Sequence, residues 1–186
     1  QILQWKHPTK VHFIMTVDQT THNQEYWVED PDDLFTKAKL LNTLENNTKY
    51  EVELFSTHSK KVVNKIYPTN ASYFDNIDNL SELPNLNEPS VLNNLGKRFE
   101  NGNIYTYSGL FLVAVNPYEH KPELYSDSVI QKYHNDKSNT SQRNEFSNSV
   151  DTKNKDILSP HVFAISEEAL KNLFKYKKDQ SILVTG

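Results

Sequence analysis

Between residues 26 and 67, short apolar runs alternate with charged turns, and the runs carry the period of β-strands. In KYEVELF, residues 49–55, Tyr50, Val52 and Leu54 alternate with Glu51 and Glu53, so one face is apolar and the other charged. YWVEDPDDLFTKAKLL precedes this run and KVVNKIY follows it, and Asp30-Pro31-Asp32-Asp33 is a turn by composition. Residues 26–70 are predicted to form a small β-barrel, ended by Pro68. Residues 70–86 read as a link with short helical turns. A helix is predicted over 87–99, with Val91, Leu92, Leu95 and Phe99 on one inward apolar face. Residues 104–115 (IYTYSGLFLVAV) are apolar on both alternating sets, which predicts one strand covered on both faces, bent or bulged at Gly109 and stopped by Asn116-Pro117. A short helix over 126–133 is expected to be capped by Ser126. Another should open at Ser159-Pro160 and run to about Lys178, with Val162, Ile165, Ala169 and Leu173 as its stripe and Phe163, Leu170 and Phe174 widening it. SILVT, residues 181–185, is predicted as a buried strand delivering Gly186. A helix feeding a buried strand that ends in glycine is α/β architecture.

Composition adds limits to this outline. Residues 134–155 are almost all polar and without period, so they cannot bury enough apolar surface to offset their ordering entropy, and a surface loop is expected. Twenty-one asparagines point the same way, to polar loops. A net charge of −4 provides no basic field for nucleic acid, and no apolar run approaches the roughly 20 residues that span a membrane. The absence of cysteine excludes a disulfide framework and a thiolate metal site, and a cytoplasmic address is expected. Residues 1–25 are expected to be flexible or non-native. Met15 is the only methionine and the candidate initiator, with a genuine extension that has lost its first residue as the alternative.

Four segments together resemble the motor domain of myosin heavy chains: YWVEDPDDLFTKA at 26–38, DNLSELPNLNEPSVLNNLGKRF at 78–99, IYTYSGLFLVAVNPY at 104–118, and SPHVFAISEEAL with DQSILVTG within 159–186. The pairing of LNEPSVL with IYTYSGLFLVAVNPY is the most specific part. The polar insertion ahead of the last helix resembles that of conventional, class-II myosins of budding yeast. The resemblance implies a small SH3-like β-barrel over 26–70, then over 71–186 the front of a P-loop NTPase motor domain with an incomplete central sheet. It implies ATP and Mg²⁺ as cofactors, and actin filaments and myosin light chains as partners of the intact protein. Cytoplasm and cytoskeleton are the implied location.

In that family the P-loop reads GESGAGKT, and Gly186 aligns with its first residue. The lysine that neutralises phosphate charge and the threonine that holds Mg²⁺ would follow, so these 186 residues alone are expected not to hydrolyse ATP. The family's NPY(x)₅Y stretch forms the purine-binding loop, in which an amide reads the adenine edge and aromatic faces pack on the base. Asn116, Pro117 and Tyr118 match it residue for residue. Tyr125 corresponds to the closing tyrosine, one residue later than the family spacing, and the variable position near the base falls on His120. Taken alone, ILVTG is any buried strand ending at a glycine turn, and Asn-Pro after a strand is an ordinary turn. The seven histidines show no i, i+4 pair on a helix, which argues against a metal site. Glu82, Glu88, Glu167 and Glu168 sit where helix starts or solvated faces account for them, so no catalytic residue is assigned. Arg98 resembles a family position in a buried polar network.

Overall fold

A computed structural model describes residues 25–135 and 158–186. The expectations for Met15, for the first 24 residues and for most of the polar stretch 134–155 lie outside the described residues. The chain divides into two compact units, Gln1–Ile66 and Tyr67–Gly186.

The first unit is built of antiparallel strands β1 (Glu25–Asp30), β2 (Leu34–Leu44), β3 (Lys49–Leu54) and β4 (Lys60–Val63), lying in the order β4-β3-β2-β1. Register places Tyr26 opposite Ala38, Ala38 opposite Leu54, and Leu40 opposite Val52. The apolar set of each strand therefore falls on one face. Val28, Ala38 and Val52 are fully buried there, joined by Leu54 and flanked by Leu40, Tyr50, Val63 and Ile66. Full burial of a valine side chain contributes about 1.5–3 kcal/mol. On β1 and β2, Trp27 faces Lys37, whose ammonium lies 5.1 Å from the ring centre. Among the described residues no pair joins β4 back to β1, so the expected small barrel is seen as an open meander.

The turn between β1 and β2 is set by Asp30, whose Oδ1 accepts the amide N–H of Asp32 at 3.1 Å and of Asp33 at 3.3 Å. These bonds hold the Asp30 carboxyl below its ordinary value, with Lys61 adding a smaller pull in the same direction. A depressed carboxylate stabilises the fold above its unfolded pKa, and that contribution is lost as pH falls through the folded value. The protection factors of the Asp32 and Asp33 amides should therefore fall on acidification below the ordinary value of 3.8, and Asp30→Ala should abolish that fall while lowering protection at neutrality.

The second unit opens with a two-residue strand, β5 (Tyr67–Pro68), and 3-10 turns at Ser72–Phe74 and Leu80–Glu82. Helix α1 (Glu88–Glu100) follows, capped by Asn87, whose side chain accepts the Ser90 N–H. Its buried face corrects the expectation from the apolar positions. Ser90, Asn94 and Arg98, each four residues apart, are buried, whereas Leu92 and Phe99 are about two-fifths exposed. The link before the helix presents polar groups, and these choose the face. Asn70 donates to Ser90 Oγ, Asn93 to Asp75 Oδ1 and Asn94 to the Phe74 carbonyl, at 2.8–3.0 Å. Arg98 extends the row: Nε donates to Thr106 Oγ1, one terminal nitrogen to Asp78 Oδ1 at 2.6 Å, and the other to the Tyr105 carbonyl.

Residues 104–115 are not one strand. They form a hairpin of β6 (Tyr105–Ser108) and β7 (Phe111–Ala114), with Ser108 opposite Phe111 and Gly109-Leu110 as a two-residue loop. Gly109 takes φ +60°, as the first position of a tight hairpin turn requires, and its N–H donates to Asn79 Oδ1 at 3.0 Å. The period-2 pattern passes through such a turn without a break, which is why the segment reads as continuous. Nor are both faces covered: Thr106 is buried, but Phe111 is 75% exposed. Asn79 Oδ1 also accepts from Ser81, so Asn79→Ala should loosen both the 3-10 turn and the hairpin tip, costing about 1–2 kcal/mol in denaturant melts.

Helix α2 (Asp127–His134) begins after Ser126, whose hydroxyl bonds Ser128 Oγ rather than a helix amide, so the expected side-chain cap is not made. Helix α3 (Val162–Tyr176) starts at His161 rather than at Ser159-Pro160, and it closes on Lys177 in the left-handed conformation. Tyr133, Leu158 and Ala164 form a second core with Tyr107, Val129 and Phe163. The expected SILVT strand is absent: residues 177–186 are coil, with Leu183 and Val184 86% and 87% exposed. A strand exists only where a neighbour accepts and donates along its edge, and none of the described strands runs beside this segment. The described chain is thus a mixed α/β structure, with antiparallel strands first and helices after.

Candidate adenine corner

Strand β7 ends at Ala114, and the chain turns out through Val115 into the Asn-Pro-Tyr sequence. Asn116 Oδ1 accepts the Tyr118 N–H at 2.9 Å, a local Asx turn that Pro117 stiffens. Tyr118 is left with φ +52° and a ring 92% exposed. For a residue with a side chain, that backbone region is sparsely populated and strained. His120 is exposed, and Lys121 pairs with Glu119 beside it. The loop then tightens into a 3-10 turn, Pro122–Tyr125.

Tyr125 is held more firmly. Its hydroxyl bonds that of Tyr105 on β6 at 2.8 Å, and its ring lies 5.8 Å from His161 and 6.2 Å, edge-on, from Phe163. Burial, followed by the bond to Tyr125, holds the Tyr105 hydroxyl well above the ordinary tyrosine range. Tyr133 completes the cluster, stacking on His161 at 5.0 Å and donating to the Ser159 carbonyl. Burial, with smaller contributions from Tyr107 and Asp78, pushes its pKa up to about 12. The aromatic cluster thus joins β6, the 3-10 turn, the C-terminal end of α2 and the start of α3.

His161 lies at the centre of this cluster and carried no assignment from the sequence. Only 4% exposed, it caps α3 by accepting the Phe163 N–H at Nδ1, 3.1 Å away. Its Nε2 is buried without a hydrogen-bond partner. Burial lowers its pKa below the ordinary 6.5, opposed by the nearby Leu124 carbonyl. The neutral ring therefore carries its proton on Nε2, and protonating Nδ1 would break the cap. A histidine with a depressed pKa stabilises above its unfolded pKa, and that contribution is lost as pH falls through the folded value. The second unit's denaturation midpoint should drop as pH is lowered past about 6.5, and His161→Asn, which can still cap but does not titrate, should flatten that slope. The sequence signal for this cap was present as a polar residue directly before an apolar stripe, but Ser159 competed for the same role.

Of the residues singled out in the sequence, Asn116, Pro117, Tyr118 and His120 share one exposed turn, and Tyr125 closes it against β6 and α3. Gly186 stands in the exposed coil after α3, with φ +155° and open space where a Cβ would be, and takes no place in that cluster. Asn116 keeps its amide N–H₂ group and a second carbonyl lone pair, a donor and an acceptor side by side, and Tyr118 presents an exposed aromatic face. For Mg²⁺ the described residues bring together no group of three or more His, Asp or Glu side chains.

Comparison with known proteins identifies the family. Residues 77–186 match the family described as myosin head (motor domain). The chain is 44% identical over 178 residues, 88% of its length, to Myosin-1 of Saccharomyces cerevisiae. It is 42% identical over 162 residues, 86% of its length, to Myosin type-2 heavy chain 1 of Schizosaccharomyces pombe. It is also 36% identical over 162 residues to the non-muscle myosin heavy chain of Drosophila melanogaster, again over 86% of its length. The chain spans about 9% of the length of the first two relatives and 7% of the third. A family match over more than half the chain, at the segments that build the hairpin, the aromatic cluster and α3, establishes that this chain belongs to the myosin head family.

Proposed function

We propose that this chain forms the front of an ATP-driven motor that moves on actin filaments, with loop 116–125 as its adenine corner. Asn116 reads the base edge, Tyr118 and His120 border the base, and Tyr125, fixed by Tyr105, closes the corner. Gly186 opens the phosphate-binding turn, whose lysine, together with the residues that hold Mg²⁺, is supplied by sequence after it. Residues 26–70 act as a separate small β-sheet module, and 71–186 as the first part of the motor domain. Actin and light chains bind elsewhere in the heavy chain, which works in the cytoplasm on the cytoskeleton.

The observation that carries this reading is the contrast within the loop: an exposed, strained Asn-Pro-Tyr turn whose far end is anchored by a 2.8 Å hydroxyl pair. A turn of this kind keeps a pocket wall in place while leaving its reading groups open to a ligand. When the heavy chain carrying this sequence is photolabelled with an azido-adenine nucleotide, label should fall within 116–125. Asn116→Ala should raise the KM for ATP about tenfold with kcat little changed, because a base contact is made equally in ground and transition states. Label confined to other segments would overturn the assignment.

A further inference from the structure

We infer that His161 is a positioning residue for the adenine corner, holding Tyr125 in place and thereby making base selection depend on the start of α3. The inference rests on the reading of loop 116–125 as the base site. Nδ1 is committed to the Phe163 amide, which fixes the orientation of the ring within the cluster. In that orientation the ring meets Tyr105 edge-on at 5.0 Å, Tyr133 in a stack at 5.0 Å and Tyr125 at 5.8 Å. Tyr105 and Tyr125 are themselves joined by their hydroxyls, so a displacement of the imidazole acts on Tyr125 both directly and through Tyr105. The remaining polar atom, Nε2, is a buried donor without a partner, and the backbone group that acts on the ring is the carbonyl of Leu124, the residue before Tyr125. A phenylalanine would fill the same space without burying an unused donor. What it lacks is the cap of α3. The imidazole therefore joins two tasks: Nδ1 starts the helix, and the ring packs against the tyrosines that hold the corner.

The test uses the intact heavy chain and reads selectivity, kcat/KM for ATP over that for GTP, together with the thermal midpoint. His161→Asn keeps an acceptor for the Phe163 N–H but removes the ring and the Nε2 donor. It should lower the midpoint through the cavity the ring leaves and keep the kcat with ATP near wild type, while lowering the selectivity ratio about tenfold, through KM. His161→Phe restores the ring without the cap, so it should lower the midpoint and yet recover part of the ratio. Tyr125→Ala should lose at least as much selectivity as His161→Asn. A ratio that follows the midpoint across the two His161 variants, or a wild-type ratio in His161→Asn while Tyr125→Ala loses it, would overturn the inference and leave the base site standing. A wild-type ratio in Tyr125→Ala would remove the base-site reading itself.

Discussion

Replacing Arg98 with alanine should destabilise the second unit by about 3 kcal/mol and leave the first untouched. The guanidinium is 3% exposed and serves four acceptors from two stretches of chain: Asp78 and, at 3.5 Å, the Asn76 carbonyl before α1, and Tyr105 and Thr106 on β6. Removal leaves the fully buried Thr106 hydroxyl and the Tyr105 carbonyl without that donor, and it empties the space taken by the aliphatic stem. Asp78 is more than half exposed and regains water, which keeps the loss below that of a wholly buried ion pair. Arg98→Lys should recover less than half, since a single ammonium cannot address the acceptors arranged around a planar fork. Denaturant titration followed by hydrogen exchange in β6 reads the second unit, while Trp27 fluorescence in β1 serves as an internal control. A shift below 1 kcal/mol would mean that the network is ornamental.

Val28→Asp should act in the opposite place. Val28 is fully enclosed by Ala38, Val52 and Leu54, and nothing in that cluster can pair with a carboxylate. Burying the charge, or protonating it to avoid the charge, costs several kcal/mol. A small unit with so few enclosed side chains has little more than that to lose. The first unit should unfold at neutral pH, seen as a red shift of Trp27 emission and rapid exchange across β1 to β3. Val28→Ala should cost only about 2 kcal/mol and remain folded. A folded Val28→Asp would show that this face is wetter than its burial implies.

The sequence is most legible where burial is one-sided. Tyr50, Val52 and Leu54 alternate with glutamates because one face of β3 meets a core and the other meets water, and the observed strand follows that pattern closely. Legibility fails where polar groups set the packing. The apolar residues of α1 suggest one face, but carbonyls and carboxylates at 70–78 draw Ser90, Asn94 and Arg98 inward instead. Hydrophobic periodicity has no means of registering this. The asparagines show the same difference: read as loop formers, Asn70, Asn79, Asn85, Asn87 and Asn93 instead staple the link to α1 and to the hairpin. SILVT carries the composition of a strand, but composition cannot supply the neighbour that would make it one. At the candidate site, Asn116 and Tyr125 were legible only through the resemblance to the myosin purine-binding loop, whereas His161 was not, because its surroundings include three tyrosines from distant points of the chain.

The two-residue loop at Gly109-Leu110 also bears on how the molecule assembles. Joining Ser108 to Phe111 closes almost no chain, so β6 and β7 can zip within microseconds of leaving the ribosome, before any distant contact is made. Arg98 must then find Thr106 across only eight positions, while Tyr125 must wait for the chain to reach His161, thirty-six residues later. The aromatic cluster around Tyr125 therefore closes only after the hairpin is standing.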